Sequence, residues 1–190
     1  MKNADLRKAM EKIQDPKRFE HTLGVSYTAA ALAMRYDADV KSAQNAGMLH
    51  DCAKCISDKK KLAFCERHHI SVSEVEKRNP FLLHGKVGSY MAMELYGITV
   101  TDMINAILNH TTGRPGMSLL EKIIFVADYI EPGRKQAPNL VAIRKLAFID
   151  LDQALLQILE DTLGYLQHSG REVDPMTKKT YDYYKEIMNK

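Results

Sequence analysis

Four side chains that can bind a metal ion follow one another along the chain: His21, then the adjacent pair His50 and Asp51, and much later Asp128. Adjacent side chains on a helix diverge by about 100°, so His50 and Asp51 could straddle one ion but could not enclose it. The four together supply two imidazoles and two carboxylates. This donor set suits Fe, Mn, Co, Ni or Zn. On a six-coordinate ion it leaves open positions for a water molecule and a phosphate oxygen.

Each of these residues alone has an ordinary explanation. Asp128 lies in the most apolar segment of the chain, where a carboxylate is rarely buried unless it is paired or binds a metal ion, but a salt bridge to a basic partner would also explain it. His21 could be a hydrogen-bonded helix histidine, and His50 with Asp51 a helix-end histidine beside a solvated aspartate. Their order along the chain favours a shared site.

Helical signals dominate the sequence, and the alternation typical of strands is nearly absent. Helix starts are indicated by Asp15 followed by Pro16 and by a capping box that begins at Ser118. The pattern predicts an all-α bundle of roughly eight to ten helices, in a single domain that spans residues 1–190. Three of these helices carry the four candidate ligands: one after Pro16, one over residues 39–55, and the apolar helix after Ser118.

Composition narrows the partners. The chain has 190 residues, of which 45% are hydrophobic and 27% charged, and its net charge of +3 is too small to indicate nucleic acid or an anionic membrane. No apolar run reaches the length of a membrane span, and the start of the sequence lacks the apolar core of a signal peptide. The three cysteines are few and odd in number, which is typical of a reducing compartment. We therefore expect a cytoplasmic protein.

The order His, His-Asp, Asp resembles that of the HD-domain metal-dependent phosphohydrolase superfamily. Six segments also resemble the YqeK family of symmetrical bis(5′-nucleosyl)-tetraphosphatases, and the similarity extends over nearly the whole chain from residue 16 onward. The segments are residues 18–22, 49–54, 83–85, 109–113, 127–134 and 171–177.

The resemblance implies an HD-domain helical bundle that binds iron, as one or two ions, and splits diadenosine tetraphosphate symmetrically into two ADP. The implied metal ligands are His21, His50, Asp51 and Asp128. The same resemblance sets His84 and His110 beside the phosphates of a dinucleoside polyphosphate.

A mechanism can be outlined from these residues. Hydrolysis of a polyphosphate depends mostly on positioning and on electrostatic stabilisation of the leaving oxygen. Asp51, beside the attacking water, is the expected proton acceptor, and Lys54, one helical turn from the His-Asp pair, could neutralise a phosphate. His84 and His110 could donate hydrogen bonds to phosphate oxygens or protonate the leaving ADP.

Further contacts to the nucleotide are expected from basic and hydroxyl side chains near the ligands and in loops, because guanidinium groups bind phosphate and stack on bases. Solvated side chains are the alternative at each position. The expected nucleotide-binding residues are Arg18, His21, Asp51, Lys54, His84, His110, Thr111, Asp128, Arg134, Arg171 and Thr177.

Three other functions remain open at this point. The chain could be another HD phosphohydrolase, such as a nucleotidase or a cyclic-nucleotide phosphodiesterase, or a non-catalytic nucleotide-binding signalling module. A purely structural helical protein would leave Asp128 unexplained. Exposed apolar side chains on the last helices would allow a homodimer, and neither a nucleic acid nor a membrane is an expected partner.

Overall fold

The computed structural model describes residues 3–189, and over this range the regular secondary structure is entirely helical, without a β-strand. The predicted all-α class is therefore confirmed, and the number of α-helices is eleven over the described range. A short 3₁₀ helix, Pro80–Leu83, precedes α6. The α-helices are α1 Asn3–Ile13, α2 Pro16–Arg35, α3 Val40–Leu49, α4 Asp58–Arg67, α5 Glu74–Arg78, α6 His84–Glu94, α7 Thr101–Asn109, α8 Leu119–Ile130, α9 Leu140–Leu146, α10 Leu151–His168 and α11 Pro175–Met188.

The helices that carry the candidate site begin at the predicted caps. The Asp15 side chain accepts a hydrogen bond from the main-chain N–H of Arg18, and Pro16 occupies the first turn of α2, where its missing N–H costs nothing. Ser118 and Glu121 form a reciprocal capping box at the start of α8. These caps determine where along each helix His21 and Asp128 fall.

Helix α3 ends earlier than predicted. It stops at Leu49, and residues 50–55 form consecutive turns rather than a continuation of the helix. In these turns Cys52 donates to the carbonyl of Leu49 and Lys54 to that of Asp51, both with the tight spacing of three residues. His50 and Asp51 thus follow the helix, where side chains are no longer constrained to the 100° spacing.

Helices α2 and α3 pack in close contact. A Cβ atom at Gly47 would lie 2.9 Å from the Cα of Ser26, so only glycine permits this approach. The Ser26 hydroxyl also donates to the carbonyl of Gln44 at 2.8 Å. Helix α8 packs against α2 and α3, and α7 packs against α3 and α8, so that these four helices surround the candidate ligands.

One hydrophobic cluster extends from Leu6 on α1 to Tyr184 on α11. Phe125 and its apolar neighbours on α8 are buried in this cluster. None of the helices in the described part of the chain has both the length and the apolarity needed to cross a membrane.

Candidate metal centre

The four predicted ligands come from three helical segments and converge. His21 lies within α2, His50 and Asp51 directly follow α3, and Asp128 lies near the end of α8. The Nε2 atom of His21 is 3.0 Å from Oδ1 of Asp128 and 3.9 Å from Oδ2 of Asp51. The Nε2 atom of His50 is 3.4 Å from the same Asp51 oxygen. We call His21, His50, Asp51 and Asp128 the four-residue cage.

Three histidines at helix ends share one local arrangement. Each ring is anchored through Nδ1 to the main-chain carbonyl three residues earlier, at 2.7 Å for His50, 2.6 Å for His84 and 2.7 Å for His110. A carbonyl oxygen only accepts hydrogen bonds, so the proton must be on Nδ1. In the neutral ring, Nε2 then carries a lone pair that is free to bind a cation.

His21 stands in the middle of a helix and has a different partner. Its Nδ1 lies 3.1 Å from Oε1 of the buried Glu131. Its Nε2 faces Asp128 without a hydrogen bond of acceptable geometry. With the proton on Nδ1, a neutral His21 would point a lone pair at a carboxylate oxygen, which is repulsive unless a proton or a cation lies between them. Burial lowers the pKa of His21, but the contacts with Asp128 outweigh burial and raise this pKa above its usual value.

Several buried polar atoms of the site lack a hydrogen-bond partner among the described residues. They are Nε2 of His21, Nε2 of His50 and Oδ1 of Asp51. Buried groups of this kind are rare and need an explanation, because an unsatisfied polar atom costs free energy. Coordination of one divalent cation would satisfy the two imidazole nitrogens, and imidazole nitrogen with carboxylate oxygen is a suitable donor set. Oδ1 of Asp51 instead faces His84 and His110. The residues of the cage therefore fit a metal ion.

A second group lies against the cage and shares Asp51 with it. Oδ1 of Asp51 is 3.4 Å from Nε2 of His84 and 3.6 Å from Nε2 of His110, and the two imidazole nitrogens are 3.0 Å apart. These three residues could also hold an ion. Nζ of Lys54 lies 3.2 Å from His84 Nε2, and the Thr111 hydroxyl lies 3.1 Å from the same nitrogen. This group is thus a potential ligand set that has the ammonium group of Lys54 beside it.

Burial and neighbouring charges tune the ionisable groups of the site. Burial opposes ionisation of Asp51, but His50 and His110 outweigh it and hold the pKa of this carboxyl well below the usual value. Burial, with the charges of His110 and Lys54, holds the pKa of His84 well below its usual value. Burial also lowers the pKa of Lys54. Asp51 is therefore an anion and His84 a neutral base at pH 7.

Two arginines pair with the carboxylates of the cage. Nη1 of Arg18 is 2.8 Å from Oδ2 of Asp51, and Nη2 of Arg134 is 2.8 Å from Oδ1 of Asp128. The side chain of Asp128 is 24% exposed, more than its apolar sequence context suggested, because this residue also lines a cavity. Both guanidinium groups therefore lie where an anionic ligand could contact them.

The cavity next to the cage has a volume of about 520 Å³. Its lining combines Thr111 and Asp128 of the metal centre with the aromatic rings of Tyr129 and Tyr165. The guanidinium carbon of Arg171 lies 5.7 Å from the centre of the Tyr165 ring, which connects a predicted nucleotide-binding residue to this cavity. Polar groups at one part and aromatic groups at another are what a nucleotide-sized site requires.

The sequence matches the conserved pattern of the HD domain over residues 18–133. The chain belongs to the HD domain family. The matched range includes every member of the four-residue cage, and HD domain hydrolases bind divalent metals, in agreement with the fit of the cage to such an ion.

Similar proteins cover most of this HD chain. The symmetrical bis(5′-nucleosyl)-tetraphosphatase of Bacillus subtilis is 42% identical over 87% of the chain and 88% of the relative. The protein of the same name from Staphylococcus aureus is 36% identical over 94% of the chain and 91% of the relative. A crystal structure from Clostridium acetobutylicum, described as a predicted HD superfamily hydrolase involved in NAD metabolism, has a TM-score of 0.94 and 38% identity, and the match covers 100% of the chain and 99% of that structure.

The structure brings most of the predicted site residues together and leaves two apart. Arg18, Lys54, Thr111 and Arg134 contact the histidines or carboxylates of the site, together with the residues already described. In the described part of the chain, no hydrogen bond or ion pair joins Arg171 or Thr177 to them; Thr177 is buried near the start of α11. Their predicted contacts with the nucleotide stay predictions.

Two further residues near the site, Glu131 and Tyr165, were not predicted from the sequence. Glu131 was inside a segment used for the resemblance, yet nothing in the sequence indicated that it contacts His21, which is 110 positions earlier. Tyr165 lies in the amphipathic pattern of α10, and its residue type alone does not separate it from the other apolar positions of that helix. In the structure its side chain is 52% exposed.

Proposed function

We propose that this HD protein hydrolyses dinucleoside tetraphosphates symmetrically, so that diadenosine tetraphosphate gives two ADP. The observation that carries the proposal is the four-residue cage, with its unsatisfied Nε2 and carboxylate atoms, beside a cluster of Lys54, His84 and His110. Relatives named symmetrical bis(5′-nucleosyl)-tetraphosphatase support the same substrate class. In this reaction the central P–O–P bridge breaks: the oxygen of water ends on one ADP and the bridging oxygen leaves with the other.

The cage residues His21, His50, Asp51 and Asp128 would hold the metal ion. When bound, a divalent ion supplies Lewis-acid polarisation of a phosphate oxygen and lowers the pKa of water. We propose iron, following the family resemblance, against Mn, Co, Ni or Zn, which the same donors accept. We further propose one ion in the cage, because the ammonium group of Lys54 beside His84 disfavours a second cation in the neighbouring group.

The protein's own groups account for the proton transfers. Asp51 accepts a proton from the attacking water at Oδ1, which is buried and has no hydrogen-bond partner among the described residues. Nε2 of His84 lies 3.4 Å from that oxygen and carries a lone pair, so the proton can pass to His84 and leave Asp51 ionised. His84, once protonated, can donate to the leaving ADP, and His110 stands 3.0 Å away to share this role.

The phosphates are bound by the hydrogen-bond donors that surround Asp51 and His84. Because the neutral His84 cannot donate from Nε2, hydrogen bonds to phosphate oxygens come from Lys54 and the Thr111 hydroxyl. Arg18 and Arg134 add positive charge at the two carboxylates of the cage. This division of roles refines the initial expectation that His84 and His110 act as donors in their resting form.

The nucleoside of one ADP half is proposed to occupy the cavity lined by Tyr129 and Tyr165, with Arg171 over the outer ring. Aromatic and guanidinium groups stack on any base, which agrees with a site for nucleosides rather than for one base alone. A nucleoside held at a fixed distance from the cage would explain why hydrolysis occurs at the centre of the tetraphosphate.

The decisive experiment is anaerobic purification with elemental analysis, followed by product identification from diadenosine tetraphosphate. Two ADP and about one iron per chain support the proposal. AMP with ATP, a nucleoside, or a linearised cyclic nucleotide would indicate another HD phosphohydrolase. Tight nucleotide binding without turnover, in a metal-loaded sample, would indicate a signalling module.

Exposed Met176, Tyr183 and Ile187 on α11 support a homodimer, which sedimentation velocity tests.

A further inference from the structure

Glu131 is buried although it carries a carboxylate. It follows α8 directly, and only 3% of its surface is exposed. Its Oε1 atom lies 3.1 Å from Nδ1 of His21, on the side of the ring opposite to the cage. A buried carboxylate with this placement needs a reason, because its desolvation is costly unless its partners are well arranged.

Two glycines reserve the space that this carboxylate occupies. A Cβ atom at Gly24, on α2, would lie 2.5 Å from Oε2 of Glu131, and one at Gly133 would lie 2.9 Å from the same oxygen. The N–H of Gly133 also donates to this oxygen. Neither glycine has the positive φ that would itself require glycine. A side chain at either position would therefore displace the Glu131 carboxylate.

His21 differs from the other histidines of the site in this respect. His50, His84 and His110 hold their Nδ1 protons with neutral main-chain carbonyls, whereas His21 uses a carboxylate. A carboxylate is the stronger acceptor, and a histidine that donates to one is a better metal ligand because its ring is oriented and its free nitrogen is more basic.

We propose that Glu131 is a positioning residue: it fixes the tautomer and the ring orientation of His21 and so strengthens binding of a divalent cation by the four-residue cage. This inference rests on the metal centre of the proposed function, but not on the substrate. Glu131 acts through His21 and does not touch the reacting phosphate.

The test measures cation affinity rather than turnover. Metal-free protein is titrated anaerobically with Co²⁺, with Kd from equilibrium dialysis and the ligand geometry from the visible absorption of the bound Co²⁺. Glu131→Ala should raise Kd by about 10–100-fold and alter the spectrum. Glu131→Gln keeps an acceptor oxygen without the charge, so its Kd should lie between those of the wild type and the alanine variant.

A second variant leaves every polar residue in place. Gly24→Ala should displace the Glu131 carboxylate and weaken Co²⁺ binding in the same direction, while alanine favours the α2 helix. Gly164→Ala is the matched control, because a Cβ at that helical position meets no atom within 4 Å. Gly24→Ala also carries the test if Glu131→Ala does not fold.

Two results would overturn the inference. One is an unchanged Co²⁺ affinity in both Gly24→Ala and Glu131→Ala. The other is a loss of thermal stability in the metal-free variants with no change in Kd or spectrum, which is the behaviour of a purely structural residue. A third result separates the two proposals. If the Glu131 variants bind Co²⁺ more weakly than the wild type, but the wild type does not hydrolyse diadenosine tetraphosphate, the proposed function is refuted and this inference stands.

Discussion

Nζ of Lys54 lies 3.2 Å from Nε2 of His84, and the opposite nitrogen of that ring is bound to a main-chain carbonyl. The imidazole therefore faces the lysine with a lone pair, and the amine is the donor. The ammonium group of Lys54 thus supplies positive charge at a place where His84 could otherwise help to bind a second metal ion.

Replacing Lys54 by Met should slow hydrolysis and leave the ion of the cage in place. Removing one group that stabilises charge in the transition state typically costs about 10²–10³-fold in kcat. The measurement is kcat for diadenosine tetraphosphate beside metal content per chain. Lys60→Met, at an exposed position, is the control. Loss of the metal ion together with activity would contradict a phosphate-binding role for Lys54.

Replacing His50 by Ala should abolish metal binding and hydrolysis together. The imidazole is fully buried and its Nε2 has no hydrogen-bond partner within residues 3–189. Burial of this nitrogen costs free energy, and a bound cation would offset that cost. Elemental analysis and product release by chromatography check both losses. His168→Ala, on the exposed end of α10, should keep both. Full activity in metal-free His50→Ala would refute the metal mechanism.

The lowered pKa of His84 predicts a pH dependence of stability. Burial, His110 and Lys54 hold this pKa well below the usual 6.5. Below about pH 6.5 the unfolded chain binds a proton on this side chain that the folded chain does not. The free energy of unfolding of the metal-free protein should therefore fall as the pH drops below this value, by up to about 1.4 kcal/mol per pH unit.

Urea unfolding between pH 7.5 and pH 5.5 measures this loss. In His84→Gln the fall should be smaller by the share that His84 contributes, and in the control His168→Gln it should match the wild type. An equal fall in His84→Gln and wild type would show that His84 takes up its proton in the folded protein as readily as in the unfolded chain.

Replacing Tyr165 by Ala should weaken substrate binding without loss of the metal ion. Stacking of a base on an aromatic ring contributes about 1–3 kcal/mol, so KM should rise roughly 5–150-fold, with a smaller change in kcat. Tyr27→Ala is a matched control because the two tyrosines are similarly exposed, at 55% for Tyr27 and 52% for Tyr165. An unchanged KM in Tyr165→Ala would contradict the proposal that the nucleoside binds in this cavity.

The sequence was informative where chemistry and local structure coincide. Asp128 in an apolar run, and the capping box at Ser118 that begins its helix, could both be recognised from residue types alone. The end of α3 could not, because it depends on turns that include the bond from the His50 ring to the carbonyl of Gly47. The contact between Glu131 and His21 could not be predicted either, since it joins side chains 110 positions apart and only packing of α8 on α2 brings them together.

The contact of Gly47 with Ser26 bears on the size of the ion that the four-residue cage could hold. His21 belongs to α2, and His50 with Asp51 follows α3, so the separation of these two helices affects how closely their ligand atoms can approach one another. At Gly47 the main chains already touch, and the helices can come no closer. The size of ion that the cage could hold would therefore depend on the backbone as well as on the four side chains that would touch the ion.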